Sequence, residues 1–122
     1  MIIREKYLRQ IRPFYNKDII KVITGFRRSG KSALLQQIKD EVAGDYSHVL
    51  MINFESHLFS GILQHEKLNS YVSNFAEGKK GKLYLFFDEI QLVDQWEKSI
   101  NSYRVTYDCD IYITGSNSNL LS

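Results

Sequence analysis

The feature that most constrains the fold is an eight-residue stretch at residues 25–32, which reads GFRRSGKS. It matches the pattern G-x-x-x-x-G-K-[ST], in which two glycines, a lysine and a hydroxyl-bearing residue stand at fixed spacing. An apolar run at residues 19–24 precedes it, and a run with helical spacing begins at Ala33. A loop between a strand and a helix with this composition is typical of a site that binds phosphate groups.

The residue types in this loop suit a nucleoside triphosphate. Gly25 permits a turn that a side chain would obstruct, and Gly30 lets the backbone approach the phosphates. Backbone N–H groups of residues 29–32 form the expected cradle, Lys31 reaches the β- and γ-phosphates, and the Ser32 hydroxyl is a predicted Mg²⁺ ligand. A plain glycine-rich turn would explain the glycines but not the lysine followed by serine. The predicted nucleotide-binding residues are Gly25, Arg28, Ser29, Gly30, Lys31, Ser32 and Ala33.

The role of the two arginines at this loop stays open. Arg27 and Arg28 occupy variable positions of the pattern. They either contact phosphate or a neighbouring subunit, or are two solvated charges.

A second site is predicted where the apolar run at residues 83–87 ends in Asp88 and Glu89. A continuously apolar strand is typical of a parallel sheet covered on both faces. Its carboxyl end lies at the sheet edge where α/β proteins bind ligands. Asp88 is expected to hold Mg²⁺ there, through a water, and Glu89 to orient and deprotonate the attacking water. An ordinary strand end is the alternative for this run alone; together with residues 25–32 it indicates a Walker B element.

A third site is predicted after the strand-like run at residues 111–114. Small polar residues there place a hydroxyl or an amide beside the γ-phosphate. Ser116 is the first choice for this group, followed by Asn117 and then Thr114. A polar loop after a strand is the alternative.

The order of apolar patterns predicts an α/β fold with a parallel sheet. Strand-like runs at residues 19–24, 49–54, 83–87 and 111–114 alternate with helical patterns. Parallel strands require such crossover connections, which cover both faces of the sheet. Asp94 is the predicted N-cap of the helix before the last strand, because Glu97 follows three residues later. At 122 residues the chain is one domain at most.

Composition restricts the classes of binding partner and the cellular compartment that we expect for this chain. The net charge of +2 gives no strong electrostatic case for nucleic acid or an anionic membrane. The basic turn at residues 79–82 is more typical of a solvated turn than of a nucleic-acid contact, so a nucleic-acid partner is possible but unsupported. No apolar run approaches the length of a membrane helix. The single cysteine, Cys109, suits a reducing cytoplasm, which is the expected localisation.

Together these elements resemble the AAA+ superfamily of P-loop ATPases. The sequence motifs are similar to those of one prokaryotic branch. Its members have G-x-R-R-x-G-K-[ST] at the P-loop, D-E-[IV]-Q and then Trp-Glu after Walker B, and T-G-S-[NS] at the fourth strand. The matching stretches here are residues 25–32, residues 88–91, Trp96-Glu97 and residues 114–117. The resemblance implies that Ser116 or its neighbour corresponds to the residue called sensor 1.

The resemblance also implies a three-layer P-loop NTPase fold with the strand order 5-1-4-3-2. The sequence stops after the fourth strand, so we expect the order 1-4-3-2 and an N-terminal part of an ATPase domain over residues 1–122. Strand five, the lid, the arginine finger and sensor 2 would follow Ser122. Because the finger is absent, the isolated chain is expected to be weakly active or inactive.

The implied function is ATP binding and Mg²⁺-dependent ATP hydrolysis, with Glu89, Lys31 and Ser116 as catalytic residues and Ser32 and Asp88 as metal ligands. Self-association or a protein target is expected through further C-terminal regions. One alternative is a nucleotide-gated binding module without turnover. Another is a kinase or a GTPase, although the guanine-reading pattern N-K-x-D is missing and a kinase does not need the Asp-Glu pair.

Overall fold

The computed structural model describes the backbone of residues 2–24 and 28–116 and the side chains of residues 4–24 and 30–116. Its centre is a four-stranded sheet in the order β1-β4-β3-β2, and every strand pair is parallel. The strands are β1 (Lys21–Ile23), β2 (Val49–Asn53), β3 (Leu83–Asp88) and β4 (Cys109–Thr114). The predicted α/β class and the order 1-4-3-2 are confirmed.

Helices cover both faces of this sheet. They are α1 (Ile2–Ile11), α2 (Arg28–Val42), α3 (His65–Ala76) and α4 (Trp96–Thr106). Short 3₁₀ turns cover Arg12–Phe14, Tyr46–His48, His57–Ile62 and Ile90–Leu92. Among the described residues, none of the helices combines the length and apolar character that crossing a bilayer requires.

The alternation of side chains along the central strands divides the core in two. Phe86 of β3 and Tyr112 of β4 stack at 5.0 Å between ring centroids and pack with the buried leucines of α1 and α2. Their neighbours Phe87 and Ile113 point to the opposite face and pack against α3 and α4. This period of two is what a strand buried on both faces produces, and it makes the fold three-layered.

The register aligns the carboxyl ends of the strands at one edge of the sheet. Ile23 of β1 pairs with Thr114 of β4, and Asn53 of β2 pairs with Asp88 of β3. The segments that follow β3 and β4 therefore begin side by side, next to the loop that leads from β1 into α2.

The capping role predicted for Asp94 is wrong. Helix α4 is preceded by Gln95 in the left-handed region at φ 53°, and Gln95 makes no side-chain cap. The Asp94 carboxylate instead accepts a hydrogen bond of 2.9 Å from the backbone N–H of His65, the first residue of α3. Asp94 thus caps a helix 29 residues earlier in the chain, a contact that local spacing cannot reveal.

A buried ion pair joins β1 to β4 near the other ends of the strands. Lys21 Nζ lies 2.5 Å from Asp110 Oδ1, and the two side chains are 3% and 0% exposed. The second Asp110 oxygen accepts hydrogen bonds from the Tyr112 hydroxyl at 2.7 Å and the Asn16 backbone N–H at 3.0 Å. Lys21 also donates to the carbonyl of Lys17 at 2.8 Å. The pair therefore ties the segment before β1 to the central strand β4.

Replacing one member of this pair should destabilise the protein strongly. Asp110→Ala leaves the Lys21 ammonium buried without its counter-charge, and we expect the free energy of unfolding to fall by about 3–5 kcal/mol. Urea unfolding followed by fluorescence of Trp96, the chain's single tryptophan, measures this loss.

Asp18→Ala is the matched control, because Asp18 pairs with Arg104 at 3.6 Å while 78% exposed. Such exposed pairs contribute about 0–1 kcal/mol. Equal losses in the free energy of unfolding would show that the buried pair stabilises the protein no more than the exposed pair does.

Candidate active site

Six polar side chains meet at the carboxyl edge of the sheet, beside the start of α2. They are Lys31 and Ser32 in α2, Asp88 and Glu89 at the end of β3, and Thr114 and Ser116 at the end of β4. Parallel strands deliver their following segments to this edge, which is where open α/β sheets bind ligands.

Asp88 joins the three elements of the site. The Ser32 hydroxyl donates a hydrogen bond to Asp88 Oδ2, and the Thr114 hydroxyl donates to Oδ1 at 2.5 Å. Asp88 is only 4% exposed. Both of its oxygens are therefore held in place, one by the helix and one by the neighbouring strand.

Thr114 also fixes the residue that follows Asp88. Its Oγ1 accepts a hydrogen bond of 3.0 Å from the backbone N–H of Glu89. Glu89 lies in the left-handed region at φ 58° and ψ 51°, where a residue with a side chain is strained. Successive residues of a regular strand point to opposite faces. The left-handed backbone ends the strand, so the Glu89 side chain lies at the same sheet edge as Asp88.

The Glu89 carboxylate forms a second cluster with Lys31 and Ser116. Lys31 Nζ lies 3.3 Å from Glu89 Oε2, and each of the two side chains is 1% exposed. Ser116 Oγ lies 2.6 and 2.7 Å from the two carboxylate oxygens. Lys31 donates to Ser116 Oγ at 3.0 Å and to the Gly115 carbonyl. A lysine of α2 is thus linked to an acid of β3 both directly and through Ser116.

The surroundings of Glu89 favour its ionised form. Burial acts to raise the pKa of the Glu89 carboxyl, but hydrogen bonds from Ser116 and Gln91 and the ammonium of Lys31 outweigh burial, and the pKa is lowered below its ordinary value. Glu89 is consequently a carboxylate at neutral pH and can accept a proton.

The donor set beside Asp88 fits Mg²⁺. Ser32 and Asp88 offer only oxygen atoms, which this ion prefers, and Mg²⁺ commonly takes one or two protein ligands and completes its shell with phosphate oxygens and water. Within the part of the chain that the structure describes, no group of three or more His, Cys, Asp or Glu side chains is placed to hold a metal. The arrangement therefore suits an ion bound together with a phosphate ligand.

The structure brings together most of the residues predicted from the sequence. The backbone of Arg28, Ser29 and Gly30 forms the first turn of α2 with Lys31, and Ala33 follows Ser32 in the same helix. Gly25 and Asn117 lie outside the described residues, as do the side chains of Arg28 and Ser29. The first turn of a helix leaves backbone N–H groups without partners inside the helix, so this turn can bind an anion.

The contacts of two site residues were not predicted from the sequence. Thr114 was ranked third as a group beside the γ-phosphate, whereas its hydroxyl is occupied by Asp88 and by the backbone of Glu89. Gln91 was noticed only within the motif that carries the resemblance, and its amide nitrogen donates to Glu89 Oε1 at 2.8 Å. The contacts of Thr114 depend on tertiary geometry. Gln91 is only two residues from Glu89, and their contact accompanies the left-handed backbone of Glu89.

Comparisons with known proteins agree with this geometry. A family model described as an AAA domain matches residues 17–122. An uncharacterized protein of Haemophilus influenzae is 42% identical over 125 residues, which cover 100% of this chain and 31% of that protein. An uncharacterized protein of Methanocaldococcus jannaschii is 42% identical over 103 residues, which cover 84% of this chain and 22% of that protein. The chain spans less than a third of the length of these curated relatives.

Removing the Thr114 hydroxyl should lower the free energy of unfolding, although the volume of the side chain hardly changes. Thr114→Val keeps the shape but leaves Asp88 Oδ1 and the Glu89 N–H without their partner. We expect a loss of about 1–3 kcal/mol in the free energy of unfolding, measured by urea unfolding.

Thr114→Ser keeps the hydroxyl and should lose only the buried methyl group, about 1 kcal/mol. Thr106→Val makes the same change at an exposed residue of α4 and should be nearly neutral. A Thr114→Val protein as stable as the Thr106→Val protein would contradict the bridging role of Thr114.

Proposed function

This chain belongs to the AAA domain family of P-loop ATPases, and we propose that it binds ATP and hydrolyses it to ADP and phosphate in the presence of Mg²⁺. One observation carries the proposal. Two consecutive residues of α2, Lys31 and Ser32, each contact one of two consecutive acids, Glu89 and Asp88. In the proposed reaction, this pairing would bring a phosphate-binding cation, a metal-binding pair and a proton acceptor to one edge of the sheet.

In this proposal α2 provides the phosphate site. The backbone N–H groups at residues 29–32 and the positive end of the helix dipole favour a polyphosphate. Lys31 is a compact point charge on a flexible stem, and it would move from Glu89 to the β- and γ-phosphates when a nucleotide binds.

Ser32 and Asp88 would hold Mg²⁺. When bound, the ion neutralises charge on the phosphate oxygens and helps to orient them. The residues of the chain prepare this site, because Thr114 holds one Asp88 oxygen while the other faces the Ser32 hydroxyl. Asp88 thus needs little rearrangement to act as a ligand.

Glu89 would act as the general base. Its carboxylate is ionised and buried, and its backbone is fixed in the left-handed region by Thr114. A base held in this way accepts a proton from the attacking water as the bond to the γ-phosphorus forms. Ser116 contacts both Glu89 and Lys31, so it would connect the base to the phosphate-binding lysine.

The cellular role of the hydrolysis is also a proposal. The curated relatives are more than three times as long as the matched segment, and we propose that regions outside it supply self-association or a protein target. A family fold alone does not identify that target.

Two substitutions in the full-length protein should separate binding from catalysis. Lys31→Ala removes a charged contact to phosphate and should weaken ATP binding by about 10- to 100-fold. Glu89→Gln keeps the shape but cannot accept the proton, so the rate of hydrolysis should fall by about 10²- to 10⁴-fold while ATP still binds. Fluorescent-nucleotide titration and phosphate release measure the two effects.

Lys67→Ala and Glu66→Gln are matched controls, since both residues are exposed on α3 and should behave as wild type. Tight ATP binding by Lys31→Ala would contradict the phosphate site. Wild-type hydrolysis by Glu89→Gln would contradict the general base. Binding without phosphate release in the wild type would favour a nucleotide-gated binding module.

Removal of Mg²⁺ should stop hydrolysis. We expect EDTA to abolish phosphate release and added Mg²⁺ to restore it. Asp88→Asn replaces a carboxylate oxygen by an amide group, and it should raise the Mg²⁺ concentration needed for the half-maximal rate. A Mg²⁺ titration of the two proteins tests this, and identical curves would exclude Asp88 as a ligand.

A further inference from the structure

Gln91 occupies a fixed position beside the proposed base. It lies in the 3₁₀ turn Ile90–Leu92, and its Nε2 donates to Glu89 Oε1 at 2.8 Å. The amide nitrogen is the donor in this contact and the Glu89 oxygen is the acceptor, so the amide turns its NH₂ group toward Glu89. This contact determines where the other end of the amide, Oε1, lies.

The Oε1 atom of Gln91 is buried and has no hydrogen-bond partner among the backbone and side-chain atoms that the structure describes. Buried polar atoms are nearly always paired, and an exception calls for a reason such as a catalytic role or a bound water. The Glu89 carboxylate beside it is the acceptor in its contact with Gln91 and cannot pair with a second acceptor. The missing partner must therefore be a donor, and water is the small donor that the proposed reaction brings to Glu89.

We propose that Gln91 positions the attacking water of ATP hydrolysis, with its amide N–H holding Glu89 and its Oε1 accepting a hydrogen bond from that water. The inference rests on the function proposed above. One water proton passes to Glu89 and the other is hydrogen-bonded to Gln91. The water oxygen bonds to the γ-phosphorus, and the bond from this phosphorus to the oxygen of the β-phosphate breaks with its electron pair, so ADP leaves. Gln91 itself neither gains nor loses a proton.

The turn that carries Gln91 is rigid enough for this task. Ile90 is fully buried and Val93 is 1% exposed. Backbone hydrogen bonds from Leu92 to Glu89 and from Val93 to Ile90, at 3.2 and 2.9 Å, close the turn. Lys31, by contrast, would leave Glu89 for the phosphates. Gln91 is a neutral donor that can stay on the carboxylate throughout the reaction.

Gln91→Leu in the full-length protein tests the inference, because leucine fills similar space without donor or acceptor. We expect kcat to fall by about 10- to 100-fold, while the Kd for ATP in a fluorescent-nucleotide titration stays unchanged. Gln91 would contact the water and not the nucleotide, so kcat should fall while the Kd for ATP stays the same. Gln36→Leu, at an exposed residue of α2, is the matched control and should keep the wild-type kcat and Kd.

Gln91→Glu keeps the shape of the side chain and covers the case in which leucine disturbs folding. It cannot donate to Glu89 when ionised, so kcat should fall again with ATP binding retained. Wild-type kcat in both variants would overturn the inference, and so would a parallel loss of kcat and ATP binding, which indicates a purely structural role.

Glu89→Gln in the same assay keeps the two proposals apart. An inactive Glu89→Gln beside a fully active Gln91→Leu overturns only the role of Gln91. An active Glu89→Gln overturns the proposed base, and the role of Gln91 falls with it.

Discussion

The hydrogen-bonded carboxylate of Asp88 is the contact on which the candidate site depends. It receives one hydroxyl from α2 and one from β4 while it stands at the end of β3. The hydrophobic layers bring these three elements together but set no atomic geometry at the edge. Because both Asp88 oxygens are hydrogen-bonded, the relative positions of α2, β3 and β4 are defined at this edge. A shift of any one of them would leave a buried polar atom without its partner.

Much of the fold could be predicted from local patterns. Continuously apolar strands such as residues 83–87 and the alternation of strand and helix sufficed for the class, and the family resemblance supplied the strand order that the structure confirms. The fixed spacing around Lys31 and the acids after β3 located the candidate site. These features lie close together in sequence, where the physical constraint acts directly on neighbouring residues.

The rest could not be predicted because it depends on register. Thr114 reaches Asp88 across 26 residues, and Lys21 reaches Asp110 across 89. The sequence shows Lys21 only as an interruption of an apolar run, although it neutralises a buried acid. The prediction that Asp94 caps α4 was wrong for the same reason, because Asp94 accepts its hydrogen bond from the start of α3. Such contacts follow from the pairing of strands and the docking of helices.

The ion pair between Lys31 and Glu89 has a thermodynamic consequence. One ammonium group cannot pair equally with a carboxylate and with a phosphate, so under the proposed function a nucleotide would compete with Glu89 for Lys31. Under the proposed function, nucleotide binding and the release of Glu89 would be linked equilibria, because Lys31 makes one contact at the expense of the other. The contact between Lys31 and Glu89 neutralises both buried charges, so under the proposed function Glu89 would lose its counter-charge only when a phosphate takes up Lys31.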